Sequence, residues 1–523
     1  MPIRAAYGAT AVLVGVTSAL GNSFVGVNLP FIQGRLGLSP VQGAWLTAAY
    51  AMTNISGNLL FLRFRQQFGI RLFAACGLVL YAAVTLLNVV WDDYEGALVA
   101  RALSGFATVP LSTLTIFYML QAAGQRHAMG GLIVGLSIAQ GATPLAYLVS
   151  PELTFSEEPH VLYLFESGLA LCALAAIALL QLPESPKVKI FAKGDVLTYA
   201  LLCPALALIV AVLSQGRLQW WPDHPWLAVA LCASVLLLAA TFFYEEARPA
   251  PLIFHDLLYS RSTMMFMLGA FGLRFVLSEQ TYAASGLLML LGAGQDQLQG
   301  LYAVILVSLA AGAGVAALTF TPPRAAVLAM VALGLVAAGA FIDADATNLV
   351  RPHEFLGSQA LLGFANGLFF GPLLIFGVLN ALKSGYQRLV TFVVLFLVSQ
   401  TLGGLAGSAI LGTFQQHREQ VYSAQINAGV DPTDPIVAQR LQLQSRQFAG
   451  VLTDRSLQQA EGVQQLRQSA TREANVRAYN DVFTLIGVLA LVLLAWIALQ
   501  AGLAALKPKE PGGAAAPAAG GVS

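Results

Sequence analysis

The sequence predicts an all-α integral membrane protein with about fourteen transmembrane helices. Hydrophobic residues make up 57% of the 523 residues and charged residues only 10%, whereas soluble domains contain about 25% charged residues. Apolar stretches recur from residue 8 to residue 505, each with the length of about 20 residues that a helix needs to cross a bilayer. Lysine and arginine are concentrated in alternate turns between these stretches. Together these observations define the fold class.

The expected spans can be placed along the chain from the apolar stretches alone. They lie near residues 8–29, 42–62, 72–91, 96–120, 128–150, 162–181, 197–215, 225–244, 264–291, 298–318, 326–343, 355–380, 388–413 and 481–505. The first stretch follows a single basic residue, Arg4, as a signal peptide would. It continues into further spans, so we interpret it as a retained helix.

The positions of the basic residues predict the orientation of the spans. Even-numbered turns and both termini hold most of them: Arg4, Arg63, Arg65, Arg71, Arg126, Lys187, Lys189, Lys193, Arg248, Arg261, Arg324, Lys383, Arg388, Lys507 and Lys509. The short odd-numbered turns contain only Arg35, Arg217 and Arg351. Because positive charge accumulates on the cytoplasmic side, both termini are expected in the cytoplasm.

Composition also excludes several classes of function. The net charge is +1 and no basic patch is interleaved with aromatic residues, so nucleic acid is not an expected partner. The four cysteines lack the spacing of a metal or redox site, and we expect neither a metal nor a cofactor. A membrane enzyme would need clustered polar residues at one membrane face. The histidines are instead scattered over both sides: His127, His160, His224, His255, His353 and His417.

Two segments differ from the membrane-spanning part. Residues 414–480 are polar and rich in Gln and Arg, with turns at Asp431-Pro432 and Asp434-Pro435. Apolar residues recur there at near-helical spacing, which predicts a helical hairpin outside the membrane. It serves either as a solvated spacer or as a docking surface for a partner. The tail 506–523 is of low complexity and is expected to be disordered.

Glycine and proline inside spans predict flexible points. Gly141 with Pro144, in the fifth span, and Gly371 with Pro372, in the twelfth, form helix breaks that favour hinges. Static close packing of helices is the alternative interpretation for such glycines.

Charged residues within spans are the strongest candidates for function, because each costs at least about 2.5 kcal/mol at mid-bilayer unless it is paired or hydrated. Three stand out: Arg101 in the fourth span, and Arg274 and Glu279 in the ninth. The last two are turned about 140° apart on an ideal helix, so each should find a partner on another helix or lie in a water-filled cavity. Buried ion pairs that only fix packing are the alternative. Glu152 and Glu166 lie near span ends and are expected to be solvated.

Uncharged polar residues in the spans could line a cavity or bridge helices. The candidates are Gln140, Asn54, Gln280, Tyr282 and Asn366.

Four segments resemble the fourteen-span drug:proton antiporters of the major facilitator superfamily, especially the EmrB-like multidrug exporters. They are the stretch from Asn28-Leu29-Pro30 to Gly43-Ala44-Trp45, Arg101 with Gly105 and Pro110, the link Glu246-Ala247-Arg248-Pro249-Ala250-Pro251-Leu252-Ile253, and Leu402-Gly403-Gly404 with Gly407-Ser408. The resemblance covers roughly residues 10–505.

The resemblance implies a major facilitator fold of two six-helix bundles with two extra central helices. The bundles would occupy residues 1–182 and 263–505, with the extra helices in 183–262. It further implies export of amphipathic small molecules by alternating access in a bacterial inner membrane, driven by protons. Residues 414–480 would dock to a periplasmic adaptor and an outer-membrane channel. In the family the arginine equivalent to Arg101 is tied to proton coupling.

Departures from the family pattern put proton coupling in doubt. The family usually has an acidic residue in the first span, where this chain has Gly21-Asn22. Pro144 of the fifth-span antiporter motif is present, but Thr143 and Tyr147-Leu148 replace the glycines around it. Glu279 is the best replacement carboxylate, with Arg101 and Arg274 as further coupling candidates. The alternatives to a transporter are a polytopic membrane enzyme and a sensor that binds a ligand without moving it.

Overall fold

The computed structural model describes residues 2–91, 93–154, 160–183, 192–249, 251–252, 254–383, 386–429 and 434–506. Over these ranges the chain is built from helices, and no strand occurs in them. The predicted turn at Asp431-Pro432 and the predicted tail beyond Leu506 lie outside the described residues.

Nineteen α-helices follow one another along the described chain. They are α1 Pro2–Val27, α2 Leu29–Leu36, α3 Pro40–Phe68, α4 Ile70–Val90, α5 Tyr94–Ala123, α6 Ala128–Ile138, α7 Ala142–Thr154, α8 His160–Leu179, α9 Lys193–Gln215, α10 Pro225–Glu246, α11 His255–Tyr259, α12 Arg261–Val276, α13 Ser285–Leu290, α14 Gln295–Thr319, α15 Ala325–Asp343, α16 Leu356–Lys383, α17 Tyr386–Ala428, α18 Pro435–Gln447 and α19 Arg455–Leu506. A 3₁₀ turn, Ala139–Gly141, joins α6 to α7, and a π-helical turn, Glu279–Ala284, lies between α12 and α13.

Polar residues at the helix ends explain several boundaries. Ser39 caps α3 by accepting from the Gln42 amide, and the Gln42 side chain bonds back to the Ser39 backbone, which is the reciprocal capping box. Asp93 caps α5 in the same way through the Gly96 amide. Gly37 ends α2 with a positive φ of 62°, a conformation that favours glycine.

Twelve helical segments of the described chain are long and apolar enough to cross a membrane. The protein is therefore a multi-pass membrane protein, as predicted. The two expected spans that are not among the twelve coincide with α3 and with the α12–α13 segment. Polar residues such as Asn54 and Asn58 lower the hydropathy of α3, and the π turn interrupts the other segment. The count of fourteen is not confirmed and stays a prediction.

Small residues let the helices of the N-terminal part approach closely. A Cβ at Gly105 of α5 would collide with the Tyr50 carbonyl of α3, and one at Gly77 of α4 would collide with Pro110. Around these contacts Tyr81 and Tyr118 are completely buried. The glycines thus let backbones meet without intervening side chains, as in other membrane helix pairs.

The C-terminal part is held together by a similar contact between α14 and α16. A Cβ at Gly312 of α14 would collide with the Phe364 carbonyl, and one at Gly367 of α16 would collide with the Leu309 carbonyl. These reciprocal contacts fix α16 directly against α14.

Helices α9 and α10 pack in a distinct way. Leu206 and Val210 of α9 lie in one cluster with Ile55 of α3 and Val394 of α17, so α9 contacts both halves of the chain. Helix α10 packs mainly against α9. The expected division into bundles 1–182 and 263–505 with residues 183–262 between them stays a prediction.

An ion cluster ties α9 to α10. Arg248 donates to Asp195 at 2.7 Å and to Glu245 at 2.5 Å, and Glu245 also accepts from Thr198 and from the Leu252 amide. Burial opposes the charge of Arg248, but the hydrogen bonds to the two carboxylates outweigh it and raise the pKa of the guanidinium. The link after α10 is thereby held in place.

The described part of the polar segment 414–480 is mostly helical, with a non-helical connection at residues 448–454. Helices α17 and α19 extend through it, and α18 packs on α19, where Ser445 faces Gly462. Asp481 of α19 accepts from Arg418 at 2.5 Å and from Tyr422 at 2.9 Å, both on α17. These bonds join the two long helices.

Helix α14 packs against α6 and α7 and so joins the two halves of the chain. At one end the rings of Tyr147 and Tyr302 stack with centroids 3.7 Å apart. Beside them Gln299 donates to the Leu148 carbonyl at 3.2 Å, and Gln295 donates to the Val27 carbonyl at 2.8 Å. The halves are closed against each other at the end where α1 finishes.

Candidate functional site

Glu279 lies at the π turn and is completely buried. A π turn adds one residue to a helical turn and often marks a functional site. Here it interrupts the span after α12, and Ser278 of the preceding turn donates to the Gly404 carbonyl of α17. The carboxyl group of Glu279 therefore stands at an interruption rather than on a regular helix face.

A second buried acid accompanies Glu279. Asp343, the last residue of α15, is 4% exposed, and the two carboxyl groups lie within hydrogen-bonding range of each other. Gln359 of α16 donates to both Glu279 oxygens at 3.1 and 3.2 Å and to Asp343 at 3.0 Å. We call Glu279 and Asp343 the acid pair.

Among the described residues, no basic side chain forms an ion pair with the acid pair. Two carboxylates in such contact cannot both be ionised in a buried site, because their charges repel and neither is hydrated. At least one of them therefore holds a proton.

A chain of polar contacts runs from the acid pair to the interface between the halves. Gln280 donates to the Gln359 side chain at 3.4 Å and thereby turns the Gln359 amide nitrogen toward the acids. Ser285 donates to the Gln280 carbonyl at 2.8 Å and lies 2.7 Å from the Tyr302 hydroxyl. Tyr302 is the residue that stacks on Tyr147. A change at the acid pair can therefore reach the closed end through contiguous contacts.

Arg274, which precedes the π turn in the chain, forms a second contact between the two halves. Its Nη1 donates to Gln140 at 3.2 Å, and Gly403 and Gly404 of α17 leave room for its side chain. No ion pair involves Arg274 among the described residues. Arg274 and Glu279 thus find separate partners on other helices, as their spacing predicted.

Arg101 lies in a different cluster, in the N-terminal half. Its guanidinium donates to Asn22 at 2.6 Å and stands over the Tyr50 ring at 4.7 Å. Its Nε is buried without a partner in the described residues. The Tyr50 hydroxyl is 3.0 Å from Thr108, which also accepts from Asn54 at 3.2 Å. The two predicted residues Arg101 and Asn54 therefore belong to one polar cluster, joined through the Tyr50 ring and Thr108.

The remaining candidates are placed as follows. Tyr282 accepts from Arg217 at 3.2 Å, and Arg217 stands over its ring. Asn366 is buried, and its side-chain oxygen has no partner in the described residues. Gln280 belongs with the acid pair and Gln140 with Arg274. Their roles in a cavity stay predictions.

The four predicted hinge residues occupy two kinds of environment. Gly141 ends the 3₁₀ turn before α7, and Pro144 is the third residue of α7, so this pair marks a real break between helices. Helix α16 continues without interruption through Gly371 and Pro372. Gly371 packs closely on Ile133 of α6. Hinge motion at either pair stays a prediction.

The expectation that Glu166 is solvated is wrong. Glu166 of α8 is only 5% exposed, and Tyr81 of α4 donates to it at 2.9 Å. It turned out buried because Gly21 of α1 lacks a Cβ, and the Glu166 carboxyl group fills that space. Glu152, in contrast, is exposed as expected.

Sequence reasoning missed Asp343, Gln359 and Glu166. Asp343 ends an apolar stretch and is followed by Asp345, which is typical of a solvated turn. Gln359 is uncharged and stands at the start of a span. A carboxylate adjoining an apolar stretch is the one signal that could have marked Asp343 and Glu166, and it does not distinguish a buried group from a solvated one.

Comparison with known proteins shows which proteins the chain is similar to. No family model matches the sequence. The chain is 27% identical over 157 residues to the uncharacterized transporter YebQ of Escherichia coli, an alignment that covers 29% of this chain and 34% of YebQ. The fold is similar to that of the proton:xylose symporter XylE, of the major facilitator superfamily, with a TM-score of 0.55 and 14% identity over 93% of this chain and 95% of that structure.

The protein thus has a fold similar to that of major facilitator transporters. Over nearly its whole length it is similar to the multidrug export protein EmrB of Haemophilus influenzae, to which it is 21% identical over 505 residues, or 92% of each chain. The resemblance predicted from the sequence is confirmed, and these relatives are transporters rather than enzymes.

Proposed function

We propose that the protein exports amphipathic small molecules from a bacterial cell by alternating access, in exchange for protons. The similarity to a multidrug export protein supports the direction and the type of cargo. Coupling to protons rests on one observation, the buried acid pair that shares the Gln359 amide. Because two such acids cannot both be ionised, entry and departure of a proton would change the charge inside the C-terminal half.

The polar contacts link this charge change to transport. Loss of a proton from the acid pair strengthens its hold on the Gln359 amide, and Gln280, Ser285 and Tyr302 connect that amide to the interface between the halves. Binding of substrate and binding of a proton would therefore each shift the equilibrium between the same two arrangements of the bundles. Such a shared equilibrium is required for exchange of one for the other. Arg274 with Gln140, and Asn366, would be polar groups that line the substrate path.

The membrane setting follows from the family resemblance and the charge distribution. The family resemblance implies the inner membrane, and both termini are expected in the cytoplasm because Lys and Arg concentrate on that side of the predicted spans. The end closed by Tyr147 and Tyr302 then faces the periplasm.

Efflux from proteoliposomes tests this function. Proteoliposomes that contain the purified protein are loaded with a fluorescent amphipathic dye, and export of the dye is measured with and without a pH gradient. We expect export driven by the gradient in the unmodified protein, loss of that export in Glu279→Gln and Asp343→Asn, and retained dye binding in both variants. Asp345→Asn, an exposed acid two residues from Asp343, is the matched control and should export normally.

Two results would contradict the proposal. Absence of transport for a broad panel of amphipathic compounds under any gradient would exclude the exporter. Undiminished proton-driven export in both acid-pair variants would leave export standing and reject the acid pair as the proton carrier.

Docking to a periplasmic adaptor and an outer-membrane channel through residues 414–480 is a further part of the proposal and rests on the family resemblance. We expect replacement of residues 429–454 by a short Gly/Ser linker to leave efflux from proteoliposomes unchanged and to abolish drug resistance of whole cells. If resistance persists in cells that export through the variant, the segment is a spacer.

A further inference from the structure

Glu166 is a buried acid of the N-terminal half whose surrounding hydrogen bonds cannot all form when it is ionised. Tyr81 is completely buried, and its hydroxyl oxygen lies 2.9 Å from the Thr17 carbonyl and 2.9 Å from Oε1 of Glu166. A tyrosine hydroxyl has one proton to donate, and a backbone carbonyl can only accept. The hydroxyl cannot donate fully to both oxygens.

Both hydrogen bonds form only when Glu166 holds a proton. The hydroxyl of Tyr81 then donates to Thr17, and the carboxylic acid of Glu166 donates to the hydroxyl oxygen. When Glu166 is ionised, its carboxylate competes with Thr17 for the single proton, and a charged acceptor forms the stronger bond. The protonation state of Glu166 therefore decides whether Tyr81 bonds to α1 or to α8.

We infer that Glu166 is a second proton-binding site, separate from the acid pair, whose proton holds α1 against α4 and α8 through Tyr81. Release of the proton to water leaves a carboxylate on Glu166 and withdraws the Tyr81 hydroxyl from the Thr17 carbonyl. Helix α1 then loses a buried link to the rest of its bundle.

The surroundings of Glu166 suit a group that changes charge. The titratable groups that the structure describes around it are Tyr81 of α4, Arg101 of α5 and Tyr50 of α3. Arg101 attracts the carboxylate electrostatically but forms no ion pair with it in the described residues, since its guanidinium bonds to Asn22 and stacks on Tyr50. The partnerless Nε of Arg101 leaves a donor for the carboxylate after its proton departs.

The missing side chain of Gly21 provides the space that the Glu166 carboxyl group occupies. A Cβ at residue 21 would collide with the carboxyl group, so a carboxylate carried by residue 21 would occupy the same space. One acid fits there, from α1 or from α8, and in this chain it comes from α8.

Infrared spectroscopy of the purified full-length protein tests the protonation directly, without transport. We expect the absorption of protonated carboxyl groups to lose one component in Glu166→Gln and to keep it in Glu152→Gln, the exposed control, and in Glu279→Gln. Raising the pH should remove that component from the unmodified protein. Identical spectra for the unmodified protein and Glu166→Gln at every pH would overturn the inference.

Tyr81→Phe gives a second measurement that does not depend on how Glu166→Gln folds. Without the hydroxyl, the protonated carboxyl group loses its hydrogen-bond acceptor, and its carbonyl absorption should move to higher frequency. An unchanged absorption would mean that Glu166 does not donate to Tyr81 and would overturn the inference.

The consequence for transport rests on the proposed function and is tested by exchanging the position of the acid. We expect Gly21→Asp and Glu166→Ala each to reduce proton-driven efflux at least tenfold, and the double variant Gly21→Asp/Glu166→Ala to recover most of it. If the infrared result holds but the double variant recovers nothing, Glu166 binds a proton without coupling it to transport. If neither the unmodified protein nor any variant exports the dye, the proposed function is rejected, while the infrared evidence for the proton site at Glu166 is unaffected.

Discussion

The side-chain amide of Gln359 donates to both acids of the pair, so a substitution of this residue tests how the pair holds its proton. Each hydrogen bond to an ionised carboxylate is worth about 1.5–3 kcal/mol. The amide therefore favours the state in which the acid pair has released a proton. An apolar side chain of the same length would remove that preference and keep the packing.

We predict that Gln359→Met slows proton-driven efflux about tenfold or more, because release of the proton from the acid pair loses at least one strong hydrogen bond. Dye binding at equilibrium should change much less. Both quantities are measured in proteoliposomes as a function of pH. An efflux profile that matches the unmodified protein at every pH would contradict the role of the amide.

Individual residues also show where sequence reasoning reaches its limit. Glu279 could be singled out because an acid in the middle of an apolar stretch is costly wherever it lies. Glu166 could not, because its burial depends on a missing Cβ on α1, more than a hundred residues away in the sequence. Asp343 was missed for the same reason, since its partners are on α16 and at the π turn.

At the level of the helices, hydropathy predicted positions well. The expected span 298–318 corresponds to α14, Gln295–Thr319, and the expected span 326–343 corresponds to α15, Ala325–Asp343. The span expected at 264–291 is instead divided by the π turn. Apolar periodicity cannot reveal such a turn, because the extra residue is stabilised by contacts with other helices.

The contact of α14 with α16 leads to a prediction about stability. Gly312→Ala places a methyl group on the Phe364 backbone, where neither helix can yield without moving, and overpacking of this kind costs about 1–3 kcal/mol. We expect a lower melting temperature in detergent for this variant. Gly314 lies on the same helix with nothing within 4 Å, so Gly314→Ala is the control and should be neutral or slightly stabilising. Equal melting temperatures for the two variants would contradict the assigned packing.

At the scale of the whole molecule, the closed end depends on a small number of contacts. The stack of Tyr147 and Tyr302 is worth about 0.5–1.5 kcal/mol beyond its buried area, which corresponds to roughly a two- to tenfold change in the ratio of closed to open molecules. A contact of this strength would favour closure and still allow the halves to separate in the proposed transport cycle.

Tyr302→Ala should therefore increase opening of this end by about two- to tenfold, while Tyr302→Phe keeps the stack and should not. Opening is measured as the rate at which a cysteine at the buried position Ala146 reacts with a membrane-impermeant thiol reagent. The background lacks the native cysteines Cys76, Cys172, Cys203 and Cys232. Equal rates in the two variants would mean that the stack does not control access.

The length of α17 has a mechanical consequence. Its 43 residues span about 65 Å, roughly twice the hydrocarbon thickness of a bilayer, and Asp481 fixes its outer part to α19. If α17 moves as a rigid body, a small tilt of its bundle produces a large displacement at the end of the helix outside the membrane. A rotation of about 15°, as in other rigid-body transitions, would displace its tip by more than about 10 Å. The position of the far end of α17 would therefore change with the conformation of the bundle, at a distance from the membrane where a spectroscopic label could detect it.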